Sequence, residues 1–293
     1  MMGNPYILLI FTTLFWGGNV PASRMAVGEI SPMLLVLLRW LFAFLLLALF
    51  ARRQIMAEYR VILPHWRLIF LLSALGYTGY NALYYSAAHY TRGANIAILQ
   101  GSTPIVVLLL GLFVYRQKLN AIQIGGAIVT IIGVMVSASH GDWQVISNLA
   151  FNRGDLWLLI ASVAYAFYTL KLRDRPECSA LMFFTALAAV SALTAVPLVI
   201  WEAWQGAVIW PGVKGWALIA YISVLPSLLC QIAYIRAVGI VGPGRASIFY
   251  NLVPVFGATL STVILGEAFS IFDLAALCLV IGGILIAEWG KPK

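Results

Sequence analysis

Charge is what this chain has least of. Only 10% of its 293 residues are Asp, Glu, Lys or Arg, against about 25% in an ordinary soluble domain, while 62% are hydrophobic. So few charges cannot clothe a water-soluble surface, and a soluble globular protein is excluded. Disorder is excluded by the aromatic content: 15 Phe, 13 Tyr and 10 Trp leave too much apolar surface to stay in water. Cysteine is sparse too. Cys178, Cys230 and Cys278 are an odd, scattered set without disulfide or metal-ligand spacing, and they read as packing residues. No GxxxxGK[ST] phosphate loop occurs, so neither direct use of ATP nor an ATPase partner is implied, and no cofactor or metal is expected.

What is present is a series of long apolar runs. A membrane-spanning helix needs roughly 20 apolar residues and satisfies its own backbone, so such runs read as helices. Ten are expected: Tyr6–Ala22, Met33–Phe50, Leu68–Ala88, Ala94–Val114, Ala121–Ser137, Leu156–Leu170, Ala180–Ile200, Trp216–Ile235, Ala246–Leu265 and Ile271–Ala287. The sixth is short and should tilt or extend. The longest connections are Ala51–Arg67 and Ala138–Asp155, and membrane lipid is the main surrounding. No Lys or Arg precedes the first run, which Gly17, Gly18, Asn19 and Pro21 interrupt, so it is expected to remain as a helix rather than be cleaved as a leader.

The formal net charge of +8 is a matter of topology. With the N-terminus in the cytoplasm, thirteen of the 18 Lys and Arg fall on the cytoplasmic side, at 52, 53, 60, 67, 116, 118, 171, 173, 175, 236, 245, 291 and 293. Arg24, Arg92, Arg153 and Lys214 fall on the other side, and Arg39 lies within the second span. That bias follows the positive-inside rule, and nucleic acid is not an expected partner. A multi-pass protein of the inner (cytoplasmic) membrane with both termini inside is implied.

An offset of 150 residues aligns Tyr77–Ser137 with Ser227–Ala287 without a gap. Identities are few, among them Tyr84/Tyr234, Pro104/Pro254 and Gly133/Gly283, but the chemistry of matching columns agrees. Asn120 with Gln123 and Ser270 with Asp273 both have the form of a capping box, so helices five and ten should begin alike. Five spans per half, an odd number, force the second half to enter the membrane from the opposite side. The expected fold is therefore an all-α membrane protein of ten helices in two inverted repeats: residues 1–138, a connecting loop 139–153 outside the cytoplasm, and residues 154–293.

Phe15-Trp16-Gly17-Gly18-Asn19, Ser31-Pro32 and Arg39 resemble the opening of a drug/metabolite transporter of the EamA family. The stretches from Arg116-Gln117-Lys118-Leu119 to Gly133 and from Leu265-Gly266-Glu267-Ala268 to Gly283 resemble that family's paired motif, the first with Gln117 where Glu is usual. Within the family the likeness is nearest to YddG-like amino-acid exporters. The resemblance implies a ten-helix bundle around a cavity lined mainly by helices 1, 3, 4, 6, 8 and 9.

Pro104 and Pro254 lie mid-helix at equivalent positions, where each would free the carbonyl four residues earlier, at Gln100 and Tyr250. Such pairs mark either a transport-site hinge or a packing kink. Helix three places Tyr77, Tyr80, Asn81 and Tyr84 on one face, and helix eight answers with Gln231 and Tyr234. Trp16 and Asn19 in helix one, Tyr165 and Tyr168 in helix six, and Gln100 opposite Tyr250 and Asn251 complete the candidate substrate contacts. Amides in hydrocarbon can line a cavity or bond helix to helix.

Arg39 and Asp273 are the ionisable Asp, Glu, Lys, Arg or His residues inside the ten runs, and Asp273 fits a cap. Arg39 is expected to bond a carbonyl or to snorkel outward. A cavity without fixed charge then suits a small zwitterion, and export of amino acids, aromatic ones included, and related metabolites by alternating access follows. A multidrug or organic-cation exporter of the same fold is the alternative. An enzyme is not expected: Ser139, His140 and Asp142 are too close in sequence to converge as a triad. The topology predicts that single-cysteine replacements at Ser147 label from outside intact cells with an impermeant thiol reagent, whereas those at Asp174 and Lys293 do not. Outside labelling at position 174 would overturn the inverted arrangement.

Overall fold

The computed structural model describes residues 4–87, 90, 96, 99–116, 120–139, 141–142, 144, 147, 152–266 and 270–290. Lys293, His89, His140, Gln117 and Glu267 lie outside them. Ten apolar helices are seen among the described residues: α1 Pro5–Ala26, α2 Pro32–Phe50, α3 Arg52–Ala87, α4 Leu99–Tyr115, α5 Ala121–Ser139, α6 Arg153–Asp174, α7 Ala180–Trp204, α8 Val213–Val241, α9 Pro243–Ile264 and α10 Ile271–Trp289. Nine of these are long and apolar enough to cross a membrane, α4 being shorter over the described residues, and no strand occurs among the described residues.

Local chemistry sets the ends. Pro5 and Pro32 open α1 and α2 at a position that needs no amide donor. The short sixth run is extended by a capping box: Asn152 accepts from the Asp155 amide while Asp155 accepts from the Asn152 amide, so α6 begins at Arg153. Ser270 and Asp273 form the expected box on α10. At α5 the equivalent is incomplete. Asn120 accepts from the Ile122 amide at 2.8 Å but spends its NH2 on the Gly290 carbonyl at 2.7 Å, tying the start of α5 to the end of α10.

The connection expected over Ala51–Arg67 is helical instead. Arg52–Ile62 forms a first segment of α3 with Ile62 as its buried residue, and a tight turn at Leu63–His65 leads into the span. Its basic residues and outward Met56, Leu63 and Trp66 suit a helix lying in the membrane interface. Ser139 and Asp142 make ordinary turn bonds, accepting from the Gly141 and Gln144 amides.

The helices pack with an approximate two-fold relation. α1 lies against α8 and α9, and its counterpart α6 lies against α3 and α4, while α2 pairs with α7 and α5 with α10. The start of α1 and the end of α10 come to one end of the bundle, where the Tyr6 hydroxyl meets Glu288 at 2.6 Å. We call this the terminal end and the other the far end.

The α5–α10 crossing depends on glycine. A Cβ on Gly126 would stand 2.5 Å from the Gly283 carbonyl oxygen, and one on Gly283 would stand 2.6 Å from both the Gly126 oxygen and Thr130 Cγ2. Their neighbours Gly125 and Gly282 face open space. Gly126→Ala and Gly283→Ala should therefore lower stability in detergent by about 1–3 kcal/mol through overpacking. Gly125→Ala and Gly282→Ala should leave it unchanged or raise it by about 0.5–1 kcal/mol, because Ala favours helix. Thermal melts of the purified chain check the contrast, and equal effects within each pair would refute it.

Candidate functional site

The helices nearest the centre are interrupted in matching places. In α3 the bonding widens to a π-helical turn over Ser73–Gly79, and in α8 it does so over Ser223–Leu229, displaced by the same 150 residues that relate the halves. Pro226 has no amide to give the Ile222 carbonyl, and the Ser227 hydroxyl donates to it instead at 2.8 Å. The Pro226 carbonyl receives the Trp16 indole N–H at 2.9 Å. In α3 the turn holds Gly76, where a Cβ would lie 2.5 Å from Tyr168 Cβ, so the missing side chain lets α6 approach.

α4 and α9 break as well, at a turn on Ser102 and on Tyr250–Asn251. Pro104 and Pro254 lie just past these breaks, in the first turn of the segment that resumes. The Tyr250 carbonyl is not left free, since it accepts from the Val253 amide at 2.9 Å.

These interruptions surround an inner chamber of about 70 Å³. Trp16, Asn19, Tyr77, Tyr80, Asn81, Tyr84, Gln100, Tyr165, Gln231 and Tyr250 line it, on the six helices that the family resemblance implied. Its neutral groups are cross-bonded: Tyr80 hydroxyl to Tyr250 hydroxyl at 2.7 Å, Gln100 Nε2 to the Tyr80 hydroxyl at 2.7 Å, and Tyr77 hydroxyl to Gln231 Oε1 at 3.1 Å. Tyr165 stands between Tyr80 and Tyr250, at ring separations of 5.0 and 5.5 Å. Among the described residues neither the Tyr165 hydroxyl nor Asn19 Oδ1 has a hydrogen-bond partner.

Three candidates stand behind this wall. Tyr168 is fully buried and bonds the Tyr77 hydroxyl at 2.9 Å. Tyr234, 1% exposed, packs against Trp16 at 5.1 Å, and Asn251 gives its amide to Thr130 at 2.7 Å. Each supports a lining residue or a helix contact rather than the chamber surface.

The expectation of a chamber without fixed charge is overturned. α2 contributes Arg39 and Trp40 to the lining. Arg39 is 4% exposed and does not snorkel. Its Nε donates to Ser227 Oγ at 3.0 Å, and its Nη1 donates to the side-chain carbonyl of Asn81 at 3.0 Å and to the Tyr85 hydroxyl at 3.3 Å. The sequence carried a signal for it, since a charge in the middle of an apolar run is itself a mark of function. The π-turns had a weaker signal, Pro226 in one half and Gly76 with Gly79 in the other.

Tyr84, Gln100 and Val253 also line a vestibule of about 1040 Å³. Its wall includes Gly28, Ser31, Gln205 and Ser137, all at the far end. Glu202 lines it too, but the carboxylate is committed to the start of α2, accepting from Ser31 Oγ at 2.8 Å and from the Met33 and Leu34 amides at 3.1 Å. At the terminal end, Arg245 pairs with both oxygens of Glu288 at 2.7 and 2.6 Å, and Tyr6 joins them, tying α9 to α10 and α1. The chamber thus shares lining residues with the far-end vestibule, and at the terminal end Arg245, Glu288 and Tyr6 hold three helices together. Among the described residues no group of His, Cys, Asp and Glu could hold a metal ion.

Comparison with known proteins agrees with this architecture. A solved crystal structure superposes with a TM-score of 0.78 over 97% of this chain and 96% of that one, at 18% identity, which is a likeness of fold. The uncharacterized transporter YyaM of Bacillus subtilis is 26% identical, covering 97% of this chain and 93% of its own. An uncharacterized transporter of Archaeoglobus fulgidus is 23% identical over 98% of both chains. The uncharacterized inner membrane transporter YedA of Escherichia coli is 23% identical, covering 97% and 92%. The model of the EamA-like transporter family matches twice, over residues 4–139 and 152–289, and the chain belongs to that family.

Proposed function

We propose that this transporter exports amino acids, aromatic ones included, and related small metabolites across the inner membrane, with both termini in the cytoplasm. The observation that carries the reading is the chamber itself. It offers Trp and Tyr faces and the unpartnered Asn19 oxygen for an ammonium, together with amide and hydroxyl donors for a carboxylate. The vestibule above it has room for a side chain. With the termini inside, the vestibule faces outward. Residues 1–138 and 154–293 act as two halves that rock about the chamber, joined by residues 139–153. Membrane lipid and a small amino-acid-like solute are the partners.

Proton coupling needs a group whose protonation differs between the two facing states. The chamber lining holds no Asp, Glu or His among the described residues. Proteoliposomes loaded with unlabelled phenylalanine should therefore accumulate labelled phenylalanine transiently by counterflow with no pH gradient. A panel of threonine, lysine, an organic dication and a nucleotide sugar ranks the solutes. Accumulation driven by a pH gradient alone, lost in His89→Ala while counterflow persists, would replace exchange by proton antiport.

Tyr84 and Tyr234 occupy matching columns but different places, so their variants should separate. Tyr84→Ala should weaken apparent affinity about tenfold, the loss of roughly one good contact, with little change in melting temperature. Tyr234→Ala removes a buried ring and should cost about 3–5 kcal/mol of stability. Phe44→Ala serves as a control away from the chamber. Equal effects of the two tyrosines on affinity, at equal stability, would contradict the arrangement.

A further inference from the structure

We infer that Arg39 is the anchor for a solute carboxylate, and that its charge makes the chamber accept carboxylate-bearing solutes and reject organic cations. This rests on the reading that the chamber is the solute site, and it adds the sign of charge the site selects.

Arg39 lies in the middle of α2, deeply buried and in the chamber wall. A guanidinium removed from water is stabilised by a nearby anion, and neutral dipoles replace that anion only in part. Its hydrogen bonds go to Ser227, Asn81 and Tyr85, which are all neutral, and among the described residues no carboxylate pairs with it. Glu202, the acid of the neighbouring vestibule, is held by the start of α2.

The guanidinium is also held in place. It stacks at 4.7 Å on Trp40, whose ring lies parallel to Tyr77 at 4.5 Å and 10°. Nε and Nη1 are engaged, whereas Nη2 makes no hydrogen bond among the described residues. A fixed planar donor with an unused amino group matches a carboxylate. A chamber of about 70 Å³ admits a carboxylate and the atoms next to it, while the remainder of the solute extends into the vestibule. A cation entering the same space meets a like charge with no acidic residue to offset it.

The test uses the purified full-length chain and matched probes: phenylpropionate, with a carboxylate only; phenethylamine, with an ammonium only; and phenylalanine and threonine, with both. Binding is read as the ligand-dependent rise in melting temperature, and transport as competition in counterflow. Wild type should be stabilised by phenylpropionate and phenylalanine and not by phenethylamine. Arg39→Gln should lose the carboxylate response, and Arg39→Lys should keep the preference for carboxylates with affinity reduced roughly tenfold or more, as for loss of a charge-assisted bond. If Arg39→Gln fails to fold, the lysine variant decides alone.

Wild-type carboxylate affinity in Arg39→Gln or Arg39→Lys would overturn the proposal. So would stabilisation of wild type by phenethylamine equal to that by phenylpropionate, or by no carboxylate at all. Arg39-dependent binding of phenylpropionate without amino-acid counterflow would uphold the anchor and discard the amino-acid reading. Amino-acid counterflow unchanged in Arg39→Gln would do the reverse.

Discussion

The constraint on which this architecture depends is that peptide groups in hydrocarbon must find partners within the protein. A carbonyl or amide left unpaired there costs several kcal/mol, so a helix can depart from regular bonding only where a neighbour or a water-filled space compensates. Here the departures are gathered around one place, the π-turns of α3 and α8 and the turns of α4 and α9. Those of α8 and α9 come with local remedies. Ser227 meets the carbonyl that Pro226 leaves open, the Trp16 indole meets the Pro226 carbonyl, and Val253 meets Tyr250. The outer pairs α2–α7 and α5–α10 supply the rigid frame against which the interrupted helices are held.

The same economy applies to the one buried cation of the chamber wall. Arg39 links α2 to α3 through Asn81 and Tyr85 and to α8 through Ser227, so it touches both halves of the molecule. Ser227 lies inside a π-turn, and it bonds both Arg39 and the Ile222 carbonyl. A change in the charge balance at Arg39 therefore bears directly on a point where α8 is least regular. Coupling of this kind is what a solute needs in order to bias two facing states by its differential affinity.

Much of the bundle was legible in the sequence because hydrocarbon imposes a simple code: long apolar runs and paired prolines. The capping box at Ser270 could be read from spacing alone, whereas Asn120 could not, since its amide is drawn to Gly290, a residue 170 positions away. The surface segment Arg52–Ile62 escaped because its composition is that of a loop, and only its amphipathic arrangement marks it as a helix. At the site, the stripe Tyr77, Tyr80, Asn81 and Tyr84 was visible as helical spacing. Tyr168, Tyr234 and Asn251 share that polarity, but their depth behind the wall is set by packing between helices, which spacing within one helix does not encode. Arg39 was visible as a residue, and its exposure to the chamber depends on α2 lying beside the π-turn of α8 and the part of α3 that follows its own.

Symmetry of fold does not extend to the two ends. At the terminal end, Arg245 and Glu288 form a bidentate pair, 21% and 14% exposed at their side chains, joined by Tyr6 and by the Tyr6–Phe249 ring contact at 5.9 Å. Under the 150-residue offset, Arg245 and Glu288 correspond to Asn95 and Ala138, a pair that carries no charge. Ala138 lies in the wall of the vestibule. A partly buried bidentate pair is stronger than its exposed equivalent, and it exists only while α9 and α10 stay together at the terminal end. Under the proposed rocking of the two halves, that pair is made in one facing state and broken in the other. In the proposed transport cycle, Arg245, Glu288 and Tyr6 thus favour the state open to the far end in the absence of solute.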